Sequence, residues 1–226
     1  MNLLYCGDSN IKDGLFLSIK SILKVEKEAL NIYVLSMDYL NFKKIDEKFI
    51  EYLDNLVKEV NKDSFVKLIN MTKIYEENEC KANKDTMFTP YCMLRLYSDL
   101  VDLPSKILYL DTDVLAYRSF KDFYDINNTN YELVGALDYY GSHVYKKNLF
   151  KKDYLNSGVL LLNLDLLKKE DILRKARKMC ATKKMLLPDQ SALNILCKHK
   201  LIVDRKYNEQ KAMQSDTVLR HFTTTF

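Results

Sequence analysis

Short apolar runs of strand length alternate with helix-patterned segments along nearly the whole chain, and this alternation confines it to an α/β fold. "NLLYCG" (2–7), "NIYVLSM" (31–37), "SFVKLIN" (64–70), residues 105–110, "YELVGALD" (131–138), "NSGVLLLNL" (156–164) and "TVLRHF" (217–222) read as strands. Ile11 to Lys24 reads as a helix with Leu15, Ile19, Ile22 and Leu23 on one face, and a longer helix is expected around Asn41 to Val57. Pro90 opens a helix through "YCMLRLYSDL", because proline suits a first helical turn. A further helix runs from Leu166 to about Cys180, and Pro188 opens a short one. The expected architecture is a mostly parallel central sheet flanked by helices. Such sheets take ligands at the carboxyl ends of their strands, where strand order switches. Asp8 and Asp111 both fall at such ends and are expected to face one crevice.

The 226 residues suffice for a substantial core. Five Gly, three Pro, no Ser/Gly-rich linker and no internal repeat favour a single domain over 1–226. A net charge of +4 gives no argument for nucleic acid. Five cysteines without a repeated short spacing fit reduced, buried thiols better than a disulfide framework or a zinc site, which points to the cytoplasm. The opening "MNLLYCGDSN" meets Asp8 almost at once, so it reads as a first strand and not as a signal peptide or a membrane span.

The chemistry concentrates at "ILYLDTDVLAY" (107–117), where a buried strand ends in two carboxylates, Asp111 and Asp113. Like charges that close are unfavourable unless a cation or a donor network lies between them. A turn and a cap would also explain the pair. At the end of a buried strand in an α/β alternation, however, a hard divalent cation bridging protein and phosphate fits, and carboxylate oxygens suit Mg²⁺ or Mn²⁺. Of the three histidines, His143 lies in a Tyr- and Lys-rich segment and His199 in "CKHK". His221 closes an apolar strand, which points it toward the crevice. An imidazole beside two carboxylates would favour Mn²⁺ over Mg²⁺.

Five segments, in order, resemble the family 8 glycosyltransferases, the retaining GT-A-type enzymes that include glycogenin and bacterial lipooligosaccharide galactosyltransferases. "KILYLDTDVLAYRSF" resembles the family's D-x-D segment, "NSGVLLLNL" its N-[SA]-G-V-[LM] strand and "LPDQSALN" its D-Q-x-x-x-N helix start. "KYN" (206–208) and "HF" (221–222) are similar to its closing elements, and the likeness runs from "LLYCGDSN" to "LRHF". It implies a GT-A-type fold and Mn²⁺ (or Mg²⁺) held by Asp111, Asp113 and His221 on the diphosphate of a UDP-sugar. Cys6, Asp8 and Asn10 match the stretch that contacts uridine, and Thr112 lies beside the nucleotide. Asn156, Ser157 and Gly158 match the strand lining the sugar. Asp189 would orient sugar hydroxyls, Gln190 would face the anomeric carbon, and Asp138 in "GALDYY" resembles an acidic residue on the acceptor side.

Two positions depart from the family. Met93 stands where an Arg often follows "T-x-Y", and Arg95, two residues on, is the candidate to replace its contact with the donor. The chain also reads "HFTTTF" where members continue into a stretch carrying a Lys that steadies the leaving diphosphate, so a missing tail is expected. The reaction implied is transfer of a glucose or galactose unit to a saccharide or glycolipid acceptor. Two alternatives stay open: a non-catalytic nucleotide-sugar binder, and a HAD-like phosphohydrolase, which also places D-x-D after a strand. The basic helix "LLKKEDILRKARKMC" reads as a solvated face, while its Lys and Arg together with Lys146, Lys147, Lys151 and Lys152 are the candidates for peripheral membrane contact. "YYGSHVYKKNLFKKDY" is either an acceptor-site loop or an ordinary surface loop.

Overall fold

The computed structural model describes residues 1–83, 90–139 and 153–223. Seven strands form the main sheet: β1 (Asn2–Cys6), β2 (Asn31–Ser36), β3 (Phe65–Asn70), β4 (Lys106–Leu110), β6 (Leu133–Leu137), β7 (Leu155–Asn163) and β8 (Lys200–Val203). Their spatial order is β3-β2-β1-β4-β7-β6-β8. Pairings β1–β2, β1–β4, β2–β3 and β6–β8 are parallel, while β7 runs antiparallel to both β4 and β6. Among the described residues, six strands of this sheet therefore point one way and β7 alone points back, so the sheet is mostly parallel as expected. The order grows from β1 outward to β3 and then resumes on the other side of β1 with β4. The switch lies between the two strands that end at Asp8 and Asp111.

Burial follows the two-residue period of the strands. Leu108, Leu110, Val159 and Leu161 pack on one face of the sheet, and Ile107, Tyr109, Leu160 and Leu162 on the other. Strands β4 and β7 are thus buried on both faces, which is why they read as unbroken apolar runs. The first face is covered by α1 (Lys12–Val25), through Leu15, Ile19, Ile22 and Leu23, and by α2 (Glu47–Val60), through Ile50, Leu53 and Val57. Helix α2 begins later than expected, because Asp46 accepts the Phe49 amide and so caps the helix there. Of the short helices, α4 (Lys121–Tyr124) adds Phe123 to this face, and α3 (Thr72–Glu77) adds Tyr75 to the other.

The opposite face meets α6 (Ile172–Thr182), α7 (Pro188–Leu196) and the segment Pro90–Tyr97. That segment, expected as a helix, is a 3₁₀ helix. Its three-residue repeat stacks Tyr91, Leu94 and Tyr97 into the core and places Arg95 above Cys92, whose carbonyl accepts from Arg95 Nε. The single helix expected from Leu166 is two, α5 (Leu164–Lys169) and α6. The break is at Asp171, which takes the left-handed conformation with φ 57°.

Two strands were absent from the sequence reading. One is β8. The other is β5 (Val114–Ala116), which forms a two-stranded antiparallel ribbon with β9 (Leu219–His221), Val114 opposite His221. Both have few residues, and their pattern alone carries no alternation. No described helix is long and apolar enough to cross a membrane.

Candidate active site

The ends of β1 and β4 and the start of β7 meet at one edge of the sheet. The register pairs Leu110 with Val159, and the Asp111 amide donates to the Gly158 carbonyl at 2.8 Å. Because β7 is reversed, its first residues, Asn156 to Gly158, lie beside the last residues of β4. The β5–β9 ribbon supplies the remaining side: Phe222 N donates to Asp113 O at 3.0 Å and delivers His221 to the paired carboxylates. Its Nε2 is 3.7 Å from Asp111 Oδ2 and 3.3 Å from Asp113 Oδ1.

Asp111 divides its two oxygens between two tasks. Oδ1 accepts from Arg95 Nη2 at 2.9 Å and from the Tyr109 hydroxyl, while Oδ2 faces the imidazole. Arg95 is 4% exposed, also donates to the Ser157 carbonyl, lies 3.2 Å from Asp189 Oδ2, and stacks 3.8 Å from the centre of the Tyr109 ring. Burial alone would raise the Asp111 pKa, but Arg95 beside it, with help from His221 and the Tyr109 hydroxyl, holds the carboxyl below the usual carboxylate range. For Asp189 the balance tips the other way: burial, aided by the charge of Asp111, raises it despite Arg95. Met93 is wholly buried in the core, so Arg95 is the arginine that reaches this edge.

Helix α7 brings Asp189 and Gln190 in at its first turn. Both are buried, and Asn194 one turn later docks the helix on β7 through Leu155 N and Leu155 O, each at 2.8 Å. That docking is the physical reason for an Asn four residues after the Gln. Ser157 N donates to Gln190 Oε1 at 2.8 Å, and Ser157 Oγ to Asp189 Oδ2 at 3.3 Å. Asp138 Oδ2 accepts from Gln190 Nε2 and from Asn156 Nδ2, both at 2.9 Å. Asn208 Nδ2 donates to Asn156 Oδ1 at 2.9 Å, and Asn208 Oδ1 meets His221 Nδ1 at 3.1 Å. The polar groups therefore close a ring from Asp111 through Arg95, Asp189, Ser157, Gln190, Asp138, Asn156, Asn208 and His221 back to the carboxylates.

Cys6 ends β1, and Asp8 and Asn10 follow it at the same edge. The Asp8 carboxylate accepts from the backbone and side-chain nitrogens of Asn10 at 2.9 and 3.0 Å. Burial pushes the Cys6 thiol pKa up, against the pull of Arg95, so it is an uncharged lining group. Thr112 packs against α1 at Gly14, where an added Cβ would meet its carbonyl oxygen at 3.0 Å. Every predicted site residue thus lies along this edge. Sequence reasoning gave no separate role to Tyr109 or to Asn208. Tyr109 was signalled by its place two residues before Asp111 on one strand face; Asn208 was visible only as the last letter of "KYN". His199 lies elsewhere, where its amide donates to Glu132, and His143 with Lys146, Lys147, Lys151 and Lys152 falls outside the described residues.

The three candidate ligands fit a divalent cation on several counts. Asp111, Asp113 and His221 each offer a donor atom such that all three lie within 4.8 Å of one another. Asp113 Oδ1 is buried and has no hydrogen-bond partner among the described residues, an arrangement that a cation resolves. The room is held open by Gly158: a Cβ there would come within 2.1 Å of His221 Cε1 and 2.8 Å of Asp111 Oδ2. Two carboxylate oxygens and one imidazole nitrogen form a donor set that a divalent metal ion accepts.

Residues 2–225 match the profile of Glycosyl transferase family 8. The chain belongs to that family. This match removes the phosphohydrolase alternative. Among family 8 relatives, the lipopolysaccharide 1,3-galactosyltransferase of Salmonella typhimurium is 24% identical over 221 residues, covering 92% of this chain and 63% of its own. A lipopolysaccharide glucosyltransferase of Escherichia coli K12 is 26% identical over 222 residues, covering 93% and 63%. This family 8 chain therefore spans somewhat under two thirds of the length of these curated relatives. In structure it resembles the galactosyltransferase LgtC, solved with donor and acceptor sugar analogues, at a TM-score of 0.76 and 18% identity over 99% of this chain and 87% of that one. The fold is accordingly the GT-A type.

Proposed function

We propose that this family 8 chain carries a retaining hexosyltransferase site, moving a glucose or galactose unit from a UDP-sugar to a saccharide or glycolipid acceptor. The observation that carries the reading is the convergence of Asp111, Asp113 and His221, with one buried carboxylate oxygen that has no hydrogen-bond partner among the described residues. These three residues would hold Mn²⁺, which as a Lewis acid stabilises negative charge on a departing diphosphate.

The chain's own groups account for the rest of the site. Cys6, Asp8, Asn10 and Thr112, at the strand-order switch between β1 and β4, are proposed to line the nucleotide. Arg95 keeps Asp111 ionised and carries positive charge to the edge where the donor phosphates would lie. Asp189, fixed by Arg95 and Ser157, is proposed to accept from sugar hydroxyls. Gln190 has both ends of its amide tied, to Asp138 and to Ser157 N, and an amide is a poor nucleophile. Attack from the face the leaving group departs is therefore the proposed route to retention, with the departing phosphate accepting the acceptor's proton. Gln190 is proposed to set its fixed dipole beside the oxocarbenium-like anomeric centre. Asp138 is proposed on the acceptor side of the pocket, where it also anchors Gln190 and Asn156.

The test is calorimetric titration with UDP, with and without Mn²⁺, followed by UDP release from UDP-glucose and UDP-galactose. Metal-dependent UDP binding with turnover is expected. Absence of UDP binding removes the donor assignment, and tight binding without turnover makes the chain a nucleotide-sugar binder.

A further inference from the structure

His221 has two ring nitrogens, and its value as a ligand depends on which of them carries the proton that it keeps. The carboxylates of Asp111 and Asp113 lie on the Nε2 side. By themselves they would draw a proton to Nε2, the nitrogen a cation needs. On the other side of the ring, Nδ1 meets Asn208 Oδ1 at 3.1 Å.

The direction of the Asn208 amide follows from fixed donors and acceptors. Asp138 Oδ2 is an acceptor, so Asn156 presents its NH₂ there. Gly158 N is a backbone donor, so Asn156 Oδ1 faces it, at 3.0 Å. Both constraints give Asn156 the same orientation. Its Oδ1 also meets the Asn208 side chain, which must therefore offer NH₂ and turn its own oxygen to the ring. An amide oxygen only accepts, so Nδ1 must be the donor. Asn208 is 1% exposed and His221 4%, so water does not compete for these contacts.

We infer that Asn208 is a positioning residue for the candidate cation centre: oriented through Asn156 by Asp138 and Gly158 N, it keeps the kept proton on His221 Nδ1 and leaves Nε2 as the nitrogen that faces the cation. The inference rests on the proposed cation-binding role of this site, though the state of the ring is readable without any cation. The same acidic residue, Asp138, thus orders both Gln190 and the histidine at the far side of the site. Hydrogen-bond partners of this kind set the ring tautomer and affect metal affinity by about 10–100-fold.

The experiment is ¹⁵N NMR of the three histidine rings in the metal-free protein, His221 being assigned by its loss in His221→Gln, with Mn²⁺ affinity measured separately by electron paramagnetic resonance. The wild-type His221 Nδ1 is expected to carry a proton that exchanges slowly with solvent. In Asn208→Ala that proton is expected to leave Nδ1 for Nε2, and the Mn²⁺ dissociation constant to rise about 10–100-fold. Asn208→Asp keeps an acceptor for Nδ1 and should retain the Nδ1 proton. A wild-type ring with no proton on Nδ1 overturns the inference without needing any variant to fold, and so does a folded Asn208→Ala with an unchanged ring spectrum. A wild type that shows the Nδ1 proton but binds no Mn²⁺ instead overturns the cation-site reading and leaves the Asn208 contact standing.

Discussion

Replacing Gly158 by alanine sets a methyl carbon 2.1 Å from His221 Cε1, 2.7 Å from Nδ1 and 2.8 Å from Asp111 Oδ2, where ordinary contact begins near 3.4 Å. The imidazole would have to move by more than an ångström. The glycine cannot retreat easily, because its carbonyl accepts from Asp111 N and its amide donates to Asn156. The ring can retreat only by leaving Asn208 and the ribbon pairing opposite Val114. Metal–ligand distances tolerate about 0.2 Å, so a displacement of this size removes the ligand. Loss of a supporting contact alone weakens metal binding about 10–100-fold, and losing the ligand itself should exceed about 100-fold. Overpacking should lower stability by roughly 1–3 kcal/mol, which leaves a folded protein to measure. The assay is Mn²⁺ titration followed by electron paramagnetic resonance, with urea denaturation on the same sample. A folded Gly158→Ala whose Mn²⁺ affinity falls by less than about tenfold would refute the argument, because the cation would not need His221 where the structure puts it.

Arg95→Met leaves the buried carboxylate of Asp189 and the half-buried one of Asp111 without their shared cation and should cost about 3–5 kcal/mol in urea denaturation, most of it from Asp189, with Arg95→Lys intermediate. Asn194→Ala removes the bonds that dock α7 on Leu155 and should cost roughly 1–3 kcal/mol in the same assay. The pKa of Asp189 is raised on folding, so its contribution to stability is full below the unfolded carboxylate value near about pH 4 and is lost as pH rises through the folded value. The stability of the wild type relative to Asp189→Asn should therefore decline from about pH 4 toward neutrality, as followed by urea midpoints; a flat or rising difference contradicts the raised value.

Much of the site could be read from the chain because its residues lie at the ends of runs whose burial is plain. "ILYLD" and "NSGVLLLN" are apolar on both faces, and a carboxylate or an amide at the end of such a run has nowhere to go but the edge of the sheet. Arg95 was placed by its departure from the family pattern, and the three-residue period of Pro90–Tyr97 explains why it, and not position 93, reaches Asp111. Asn208 was harder, since its partner is a ring on another strand and nothing local announces that contact. Strands β5 and β8 escaped for the same reason, being recognisable only beside β9 and β6.

The alternation of strand and helix, the burial of β4 and β7, and the crowding of two carboxylates at a strand end are all legible along the chain, because side-chain period and local charge report burial directly. The folded molecule adds that β7 runs backward along β4, that β9 folds against β5 to bring His221 to Asp113, and that hydrogen-bonded amides connect that histidine to Asp138. Strand direction and pairing partner depend on backbone hydrogen bonds between distant segments. Those bonds look alike whatever the side chains, so no pattern along the chain names the partner.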